Sequence, residues 1–437
     1  MTYKSLLPIV FTFLIIISCS DDGPVNPGVN PEMTSDKPNI LFIIADDMGI
    51  DATPGYNIGD QKPDMPHLEQ MITDGIRFNN LWSYASCTPT RSSIITGKYG
   101  FRTGVTQVGD ILSTSEISLQ RYMDNNDSQY SHAVIGKWHL SQDPSHPTDM
   151  GIDYYAGLLD GGVQSYTRWD FTENQSTSQS REYSTSKFTD LAIDWIDEQD
   201  APWFLWLAYN APHTPFHLPP ADLHNRDNLP EDQASIDSNP LPYYFAMLEA
   251  MDTEIGRLLE SMTAEEKENT IIIFIGDNGT SGQVIQEYNS RRGKGSVYQG
   301  GVNVPMVISG KGVSRNNSSE DALINTTDLF STIADIAGIP NSDINDSQSI
   351  KPLLTGMSNN NRDVIYTELG DPNSDLDVAI RNDTHKYLLF SNGIEALYNL
   401  SDNPLEAPNL LSANQLPLSN SDSEILDDLL KKLDEIR

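Results

Sequence analysis

Short apolar runs alternate with amphipathic stretches from Lys37 onward. Runs of this kind are typical of buried strands, and the alternation predicts an α/β fold with a large, mostly parallel sheet flanked by helices. Four runs are each followed at once by polar residues; they span 38–45, 132–135, 203–209 and 270–275. Open α/β sheets bind ligands outside the carboxyl ends of their strands. We therefore expect the residues after these four runs to converge on one site.

Acids and an amide follow two of the runs. Asp46 and Asp47 come after the first run, and Asp277 and Asn278 come after the fourth. One acid in such a place is well explained as a helix cap. Two strand ends that both supply oxygen ligands instead predict a site for a hard cation, which suits calcium or magnesium better than zinc. Without a cation, the clustered carboxylates would repel one another.

The other two runs lead to lysine and histidine. Lys137 and His139 follow the second run, and His213 follows the third. Lys294 stands between two glycines, which allow a small anion to approach the backbone closely. Taken alone, each histidine is more often a solvated loop residue, and each lysine is explained equally well as part of a turn.

The chain has two cysteines, Cys19 and Cys87, which excludes a disulfide framework. Cys87 begins the string CTPTRSSIITG. Pro89 suits the first turn of a helix, so Cys87 is predicted at a helix N-terminus, where backbone N–H groups favour an anion. Arg91 would lie on the same face, one turn deeper. Considered by itself, a single cysteine is more often a buried packing residue.

The charge balance limits the kinds of partner. There are 62 acidic and 27 basic residues, which gives a net charge of −35 at neutral pH. A surface this acidic repels nucleic acid and anionic lipid at ordinary salt. Neither is expected as a bulk partner, although a local basic pocket for a small anion remains compatible with the composition.

The string from Cys87 closely resembles the signature of the type I sulfatases, the formylglycine-dependent enzymes of the alkaline phosphatase superfamily. Residues 130–139, YSHAVIGKWH, are similar to a second signature of that family. The resemblance continues through 211–216, 246–259 and 292–305 and covers nearly all of the chain after residue 37. It implies an alkaline phosphatase-like sandwich with a small C-terminal subdomain, made of an antiparallel sheet and a helix. Gln129, Gln299 and Asn303 depart from the residues usual in the family.

The resemblance also implies roles for individual residues. Four would bind a divalent cation, with calcium favoured over magnesium: Asp46, Asp47, Asp277 and Asn278. Cys87 would be oxidised to formylglycine by a formylglycine-generating or sulfatase-maturating enzyme, and its hydrate would attack sulfur. Three cationic side chains would neutralise the sulfuryl oxygens: Arg91, Lys137 and Lys294. His213 would protonate the leaving oxygen, with Lys294 as the alternative acid, and His139 would take a proton from the second hydrate oxygen.

The first residues resemble a bacterial lipoprotein leader. An apolar run at 6–17 is too short to span a bilayer comfortably and ends in a lipobox-like string at Cys19, the expected site of lipidation. An ordinary secretory signal is the alternative. We expect a signal peptide at 1–19, a flexible tether at 20–36, a catalytic domain at 37–361 and a C-terminal α+β subdomain at 362–437. The lipid would be the only membrane attachment, and an outer-membrane or cell-surface location is favoured over the periplasm.

The expected activity is hydrolysis of a sulfuric ester on a sulfated carbohydrate. The low isoelectric point fits a saline habitat, which favours an algal polysaccharide or its oligosaccharides. Candidate substrate contacts lie in two predicted loops on the side of the active site: Tyr166, Arg168, Trp169, Arg291 and Arg292. The polar run at 172–180 is predicted to be a mobile surface loop.

Two alternatives remain open from the sequence. One is a phosphomonoester or phosphonate monoester hydrolase on the same scaffold. The other is a noncatalytic glycan-binding lipoprotein, in which Cys87 would stay an unmodified thiol.

Overall fold

The computed structural model describes residues 37–340, 344–357, 362–371, 374 and 376–437. The predicted signal peptide, tether and lipidated Cys19 lie outside these residues. No helix within the described residues is long and apolar enough to cross a membrane.

Strands and helices alternate through most of the chain. The strands are β1 Asn39–Ala45, β2 Gly75–Trp82, β3 Ser131–Lys137, β4 Tyr154–Leu158, β5 Trp169–Glu173, β6 Ser176–Ser180, β7 Trp203–Ala208, β8 Thr270–Gly276, β9 Asn303–Gly310, β10 Ser318–Glu320, β11 Ile324–Asn325, β12 Ile365–Leu369, β13 Asp377–Arg381, β14 His385–Leu389 and β15 Glu395–Asn399. The helices are α1 Pro66–Thr73, α2 Cys87–Thr96, α3 Gly100–Thr103, α4 Leu119–Asn125, α5 His146–Asp149, α6 Ser184–Asp197, α7 Gln233–Ser238, α8 Leu241–Ser261, α9 Ala264–Glu268, α10 Gln299–Val302, α11 Asp328–Ile336 and α12 Asn420–Ile436. Short 3-10 helices lie at Ile50–Ala52 and Lys351–Thr355.

The large sheet has the strand order β10-β2-β9-β8-β1-β7-β3-β4-β5-β6, with β11 paired to β2. It is mixed, because β9, β5 and β6 run antiparallel to their neighbours. Strand β1 is buried along its whole length. Its alternate side chains enter two separate hydrophobic cores: Ile40, Phe42 and Ile44 on one face, and Leu41, Ile43 and Ala45 on the other. Helices therefore cover both faces of the sheet, as the near-continuous apolar runs predicted.

The four strands with polar ends are neighbours in the order β8-β1-β7-β3, and all four are parallel. Their last residues are in register, with Ala45 paired to Gly276, and Ala208 paired to both Ile44 and Gly136. The four strand ends consequently meet along one stretch of the sheet edge, as predicted.

A second sheet, of strands β12 to β15 in sequence order, is antiparallel throughout. Leu429 and Leu433 of α12 pack in its hydrophobic core beside Tyr366 and Ile380. The predicted C-terminal layer of sheet and helix is thereby confirmed, while the domain boundary at residue 362 stays a prediction.

The prediction of a mobile loop at 172–180 was wrong. Strands β5 and β6 form an antiparallel hairpin, with Thr172 paired to Thr177. Asn174 and Gln175 connect the strands, and both have positive φ, 44° and 69°. A two-residue turn of this kind matches the twist of a hairpin, which explains how a largely polar segment forms regular structure.

Candidate active site

Three carboxylates and a thiol lie together where the strands end. One ligand atom from each of Asp46, Asp47, Asp277 and Cys87 lies within 4.8 Å of the others, and all four residues are buried. The backbone N–H of Asp47 donates to Oδ1 of Asp277 at 3.1 Å, which ties the end of β1 to the end of β8. Asp47 has a φ of 73°, a left-handed conformation that aspartate adopts more readily than most residues.

Each carboxylate of the cluster forms an ion pair. Nζ of Lys137 lies 2.5 Å from Oδ2 of Asp46, and Nζ of Lys294 lies 2.6 Å from Oδ1 of Asp47. These three negative charges are balanced by three positive ones, because the guanidinium of Arg91 binds Asp277. A bound divalent cation would bring the cluster from zero to two net positive charges, which favours an anionic ligand.

The pKa values show how strongly the acids interact. Burial by itself would raise the pKa of Asp46, but Lys137, followed by His213 and Lys294, outweighs it and holds that pKa well below its usual range. Burial raises the pKa of Asp277 to about 6, and the charge of Asp46 acts in the same direction.

Asn278 supports the prediction of a cation site. Its Nδ2 donates to Oδ1 of Asp47 at 2.8 Å. Its Oδ1 is buried and has no hydrogen-bond partner among the described residues. An orphaned amide oxygen beside three carboxylates gives an all-oxygen donor set, which fits calcium or magnesium.

Cys87 is the first residue of α2, after Ser86 in an extended conformation, as predicted. Its Sγ lies 3.3 Å from Oδ1 of Asp46. Burial, together with the charge of Asp46, raises the pKa of the thiol to about 12. The Cys87 position is therefore next to the cluster, but the unmodified side chain is a protonated thiol.

Arg91 lies one turn further along α2 and is completely buried. Its Nε and Nη2 donate to Oδ2 of Asp277 at 3.2 and 2.8 Å, and its Nη1 donates to the carbonyl of Lys137 at 2.7 Å. The guanidinium thus joins the ends of β8 and β3. Its predicted contact with sulfuryl oxygens stays a prediction.

The two histidines border the same cluster. Nε2 of His213 lies 3.9 Å from Oδ2 of Asp47, and its Nδ1 is 2.8 Å from the carbonyl of Thr214. His139 has a φ of 56°, and its Nε2 lies 3.3 Å from Oγ1 of Thr88. Its Nδ1 is buried without a hydrogen-bond partner in the described part of the chain, and burial lowers the pKa of His139 to about 2. Strained backbone of this kind is common at functional sites.

Sequence reasoning missed two glycines that pack against these histidines. A Cβ added to Gly161 would lie 2.4 Å from Cε1 and Nε2 of His139, and one added to Gly162 would lie 3.1 Å from Cε1 of His213. Two consecutive glycines shortly after a predicted strand were the sequence signal that could have identified them. No such signal marks Thr88, the residue that His139 contacts.

The five candidate substrate contacts have different surroundings. Arg168 and Arg291 are exposed, and Trp169 is buried but borders a cavity. Tyr166 and Arg292 instead make contacts within the protein. Tyr166 is buried, with its hydroxyl 2.7 and 2.6 Å from the carbonyls of Asn210 and His213, so it supports the loop of His213 from within.

Arg292 also has an internal role. Its Nη1 donates to the carbonyls of Leu405 and Glu406, and its guanidinium stacks 4.3 Å from the ring centroid of Tyr298. These contacts attach the segment to the C-terminal layer, and the role of Arg292 as a substrate contact stays a prediction.

Comparison with known proteins gives matches over most of the chain. The sulfatase family model matches residues 38–339, and a model described as N-sulphoglucosamine sulphohydrolase, C-terminal, matches residues 292–437. The uncharacterized sulfatase YdeN of Escherichia coli (strain K12) is 28% identical over an alignment of 364 residues, and the match covers 70% of this chain and 63% of YdeN. Arylsulfatase G of Rattus norvegicus is 27% identical over 402 residues, covering 78% of this chain and 73% of that protein.

Solved structures share the fold. The crystal structure of Ps i-CgsB has a TM-score of 0.77 at 25% identity and covers 91% of this chain and 92% of its own. The structure of BT4656 in complex with D-glucosamine-2-N,6-O-disulfate has a TM-score of 0.76 at 20% identity, covering 92% and 98% of the two chains. These likenesses confirm the predicted fold class.

Proposed function

This chain belongs to the sulfatase family, and from that premise we propose that it hydrolyses sulfate esters on a sulfated carbohydrate. The observation that carries the proposal is the buried cluster in which Asp46, Asp47 and Asp277 lie within reach of Cys87. Lys137, Lys294 and Arg91 balance these acids. With a divalent cation added, the charge of the site suits a small anion such as a sulfate ester.

A carbohydrate substrate is supported by two related structures. Ps i-CgsB has been solved in complex with k-i-k-neocarrahexaose, and BT4656 with a disulfated glucosamine. The net charge of −35 fits a saline habitat. We extend the proposal to an algal polysaccharide or its oligosaccharides as the natural substrate.

Asp46, Asp47, Asp277 and Asn278 would hold the cation, which we propose to be calcium. When bound, a divalent cation polarises a sulfate oxygen and stabilises an anionic oxygen nucleophile. Cys87 would be converted to formylglycine, whose aldehyde supplies that nucleophile as its hydrate.

The histidines would handle protons at defined atoms. Because Nδ1 of His213 lies 2.8 Å from the carbonyl of Thr214, it serves as the donor of that hydrogen bond. When the ring is doubly protonated, Nε2 is thus the atom that can give a proton to the leaving oxygen, and Nδ1 keeps its own. Lys294 is the alternative acid, but its ammonium lies 2.6 Å from Asp47, where its charge serves to bind an anion. His139 would accept a proton at Nε2.

The decisive experiment uses the full chain, co-expressed with a maturating enzyme and supplied with calcium. Sulfate release is measured on 4-nitrophenyl sulfate and on a panel of sulfated mono- and oligosaccharides, with the matching phosphates in parallel. Cys87→Ala serves as the control, and mass spectrometry of the peptide reports whether Cys87 is converted.

Turnover of the sulfates that depends on Cys87 supports the proposal. Preference for the phosphates would favour the phosphomonoester or phosphonate monoester hydrolase. An unmodified thiol, with sugar binding that survives Cys87→Ala, would favour the noncatalytic glycan-binding protein.

His213→Ala separates the two candidate acids. A missing acid slows esters of poor leaving groups far more than esters of 4-nitrophenol, because the weakly basic phenolate leaves without a proton. If sugar sulfates and 4-nitrophenyl sulfate slow equally, His213 is not the acid.

We also propose that the protein is a lipoprotein anchored at the outer membrane or cell surface through Cys19. The support is the lipobox-like string that ends at Cys19. Labelling with a fatty-acid analogue should mark the wild-type chain and not Cys19→Ser. Equal labelling of both would reject the anchor.

A further inference from the structure

An open cavity of about 240 Å³ lies where β4 ends, lined by Leu158 and by residues of the loop that follows it. Its lining is strongly polar, with five side chains that offer hydrogen bonds: Asp160, Gln164, Arg168, Asp170 and Gln179. All but Asp160 are exposed. Pockets for drug-sized ligands have volumes of roughly 300–1,000 Å³. This cavity is smaller, and its volume suits a single sugar ring.

Gly162 separates the cavity from His213, the predicted acid. Gly162 lines the cavity, and a Cβ added to it would lie 3.1 Å from Cε1 of His213. Strand β4 pairs in parallel with β3, with Leu158 opposite Lys137, so the cavity opens at the same sheet edge as the cluster. A group bound in the cavity would lie next to a substrate whose ester is at the cluster.

The charge and geometry of the lining favour a neutral, hydroxyl-rich ligand. Two carboxylates, from Asp160 and Asp170, stand against the one guanidinium of Arg168, which leaves a net negative charge. Oδ1 of Asp160 accepts from Nε2 of Gln142 at 2.6 Å, and Oδ1 of Asp170 accepts from Nε2 of Gln179. These bonds hold the carboxylates in place and leave a second oxygen on each to accept from a hydroxyl group. A second sulfate would meet like charges, which is unfavourable.

We propose that this cavity is a subsite for an uncharged sugar residue, linked to the sulfated sugar that reacts at the catalytic cluster. The proposal rests on the proposed function and deepens it. The substrate is then an oligosaccharide or polysaccharide in which an unsulfated sugar neighbours the sulfated one. Asp160 and Asp170 accept hydroxyl protons of the neutral sugar, and Arg168 donates to its oxygens.

The test compares substrates that differ only in the neighbouring sugar. One set is galactose 4-sulfate, its disaccharide with neutral 3,6-anhydrogalactose, and the same disaccharide with a second sulfate on the anhydrogalactose. A second set is N-acetylglucosamine 6-sulfate, its disaccharide with galactose, and that disaccharide with galactose 6-sulfate. In the set that the enzyme desulfates, kcat/KM should be highest with the neutral neighbour, by about tenfold over the sulfated one.

The variants Asp160→Asn and Asp170→Asn remove the negative charge of the lining. Each should reduce the discrimination against the sulfated neighbour and leave turnover of 4-nitrophenyl sulfate unchanged, since that probe has no neighbouring sugar. Asp427→Asn, an exposed acid on α12, is the matched control and should change neither value.

Three results would overturn the subsite and leave the sulfatase function intact. They are equal kcat/KM for all three members of a set, a preference for the sulfated neighbour, and unchanged discrimination in both variants. Failure to release sulfate from 4-nitrophenyl sulfate and from both sets would instead reject the proposed function, and the subsite with it.

Discussion

Lys386 of β14 and Glu406 form a completely buried ion pair, with 2.7 Å between Nζ and Oε1. The ammonium of Lys386 also lies 4.8 Å from the ring centroid of Trp82, the last residue of β2. Removing two charges from water is costly, and the cost is recovered only when both are well paired. This pair connects the C-terminal sheet to the strand that leads into α2.

Glu406 also holds both ends of the segment that carries Lys294. Its Oε2 accepts from the backbone N–H of Gln299 at 2.9 Å, and its carbonyl accepts from Nη1 of Arg292 at 2.8 Å. Glu406 therefore helps to position the segment from which Lys294 reaches Asp47, together with the backbone N–H of Lys294, which donates to the carbonyl of Thr280.

Replacing Glu406 by glutamine should lower both stability and turnover. Breaking a buried pair leaves Lys386 either charged without a partner or forced to lose its proton, which typically costs about 3–5 kcal/mol. The kcat for 4-nitrophenyl sulfate should fall in the folded variant, because the segment at 292–299 is held less firmly. Urea unfolding and kinetics at a temperature where the variant is folded measure the two effects.

The control is Glu424→Gln, which changes an exposed acid on α12 and should match the wild type in both stability and kcat. A folded Glu406→Gln protein with unchanged kcat would show that the segment does not need this contact.

The same pair should make stability depend on pH in alkaline solution. Burial lowers the pKa of Lys386 to about 8, below its ordinary value of 10.5. Between these two values the unfolded chain keeps a proton that the folded protein has lost, so the contribution of Lys386 to the free energy of unfolding rises with pH. Below pH 8 both states are protonated and the contribution is constant. The free energy of unfolding of the wild type minus that of Lys386→Met should therefore increase between pH 8 and 10.5. The same difference taken with the exposed control Lys431→Met should not change. A difference that is flat with pH would contradict the shifted pKa.

The central fold could be predicted because its signals are local. The runs that became β1, β3, β7 and β8 are apolar enough to identify buried strands, and the parallel arrangement then brings their polar ends together. Asp46, Asp47 and Asp277 were placed correctly beside one another for this reason, whereas the position of Cys87 next to them was implied by the resemblance to the type I sulfatases. The antiparallel sheet of β12 to β15, by contrast, was expected from the family resemblance and not from a local signal.

The features that escaped prediction depend on contacts between distant residues. The hairpin of β5 and β6 is polar, so its turn, and not a hydrophobic pattern, determines the pairing. The internal role of Arg292 depends on Glu406, more than a hundred residues later. Tyr166 looked like an exposed loop aromatic because nothing local indicates that its hydroxyl meets the carbonyl of His213.

Chelation should remove both activity and some stability. With the cation gone, Asp46, Asp47 and Asp277 repel one another, and Oδ1 of Asn278 has no hydrogen-bond partner among the described residues. A ligand at a hundred times its Kd stabilises the folded state by about 2.7 kcal/mol. EDTA should therefore lower Tm and abolish sulfate release, and added calcium should restore both more fully than magnesium. Asp277→Asn should lose the calcium-dependent rise in Tm. Full activity after exhaustive dialysis against EDTA would argue against a required cation.

Replacing Gly161 by alanine should disturb the chemistry more than the fold. Gly161 does not have a positive φ, so alanine adds no backbone strain, and its effect is the contact of the new Cβ with the ring of His139 at 2.4 Å. Real Cβ atoms do not approach so closely, so either the loop or the imidazole must shift, and we expect the imidazole to shift and to change its contact with Oγ1 of Thr88. A displacement of about 1 Å in a catalytic group can cost roughly a hundredfold in rate, and we expect kcat to fall by that order.

Gly162→Ala is the matched comparison. Its Cβ would lie 3.1 Å from Cε1 of His213, a tight contact that a small shift relieves, so its loss of kcat should be smaller. Kinetics on 4-nitrophenyl sulfate and thermal unfolding of both variants measure the effects. If Gly161→Ala keeps full kcat with an unchanged Tm, the loop has moved in place of the imidazole, and the position of His139 is not set by Gly161.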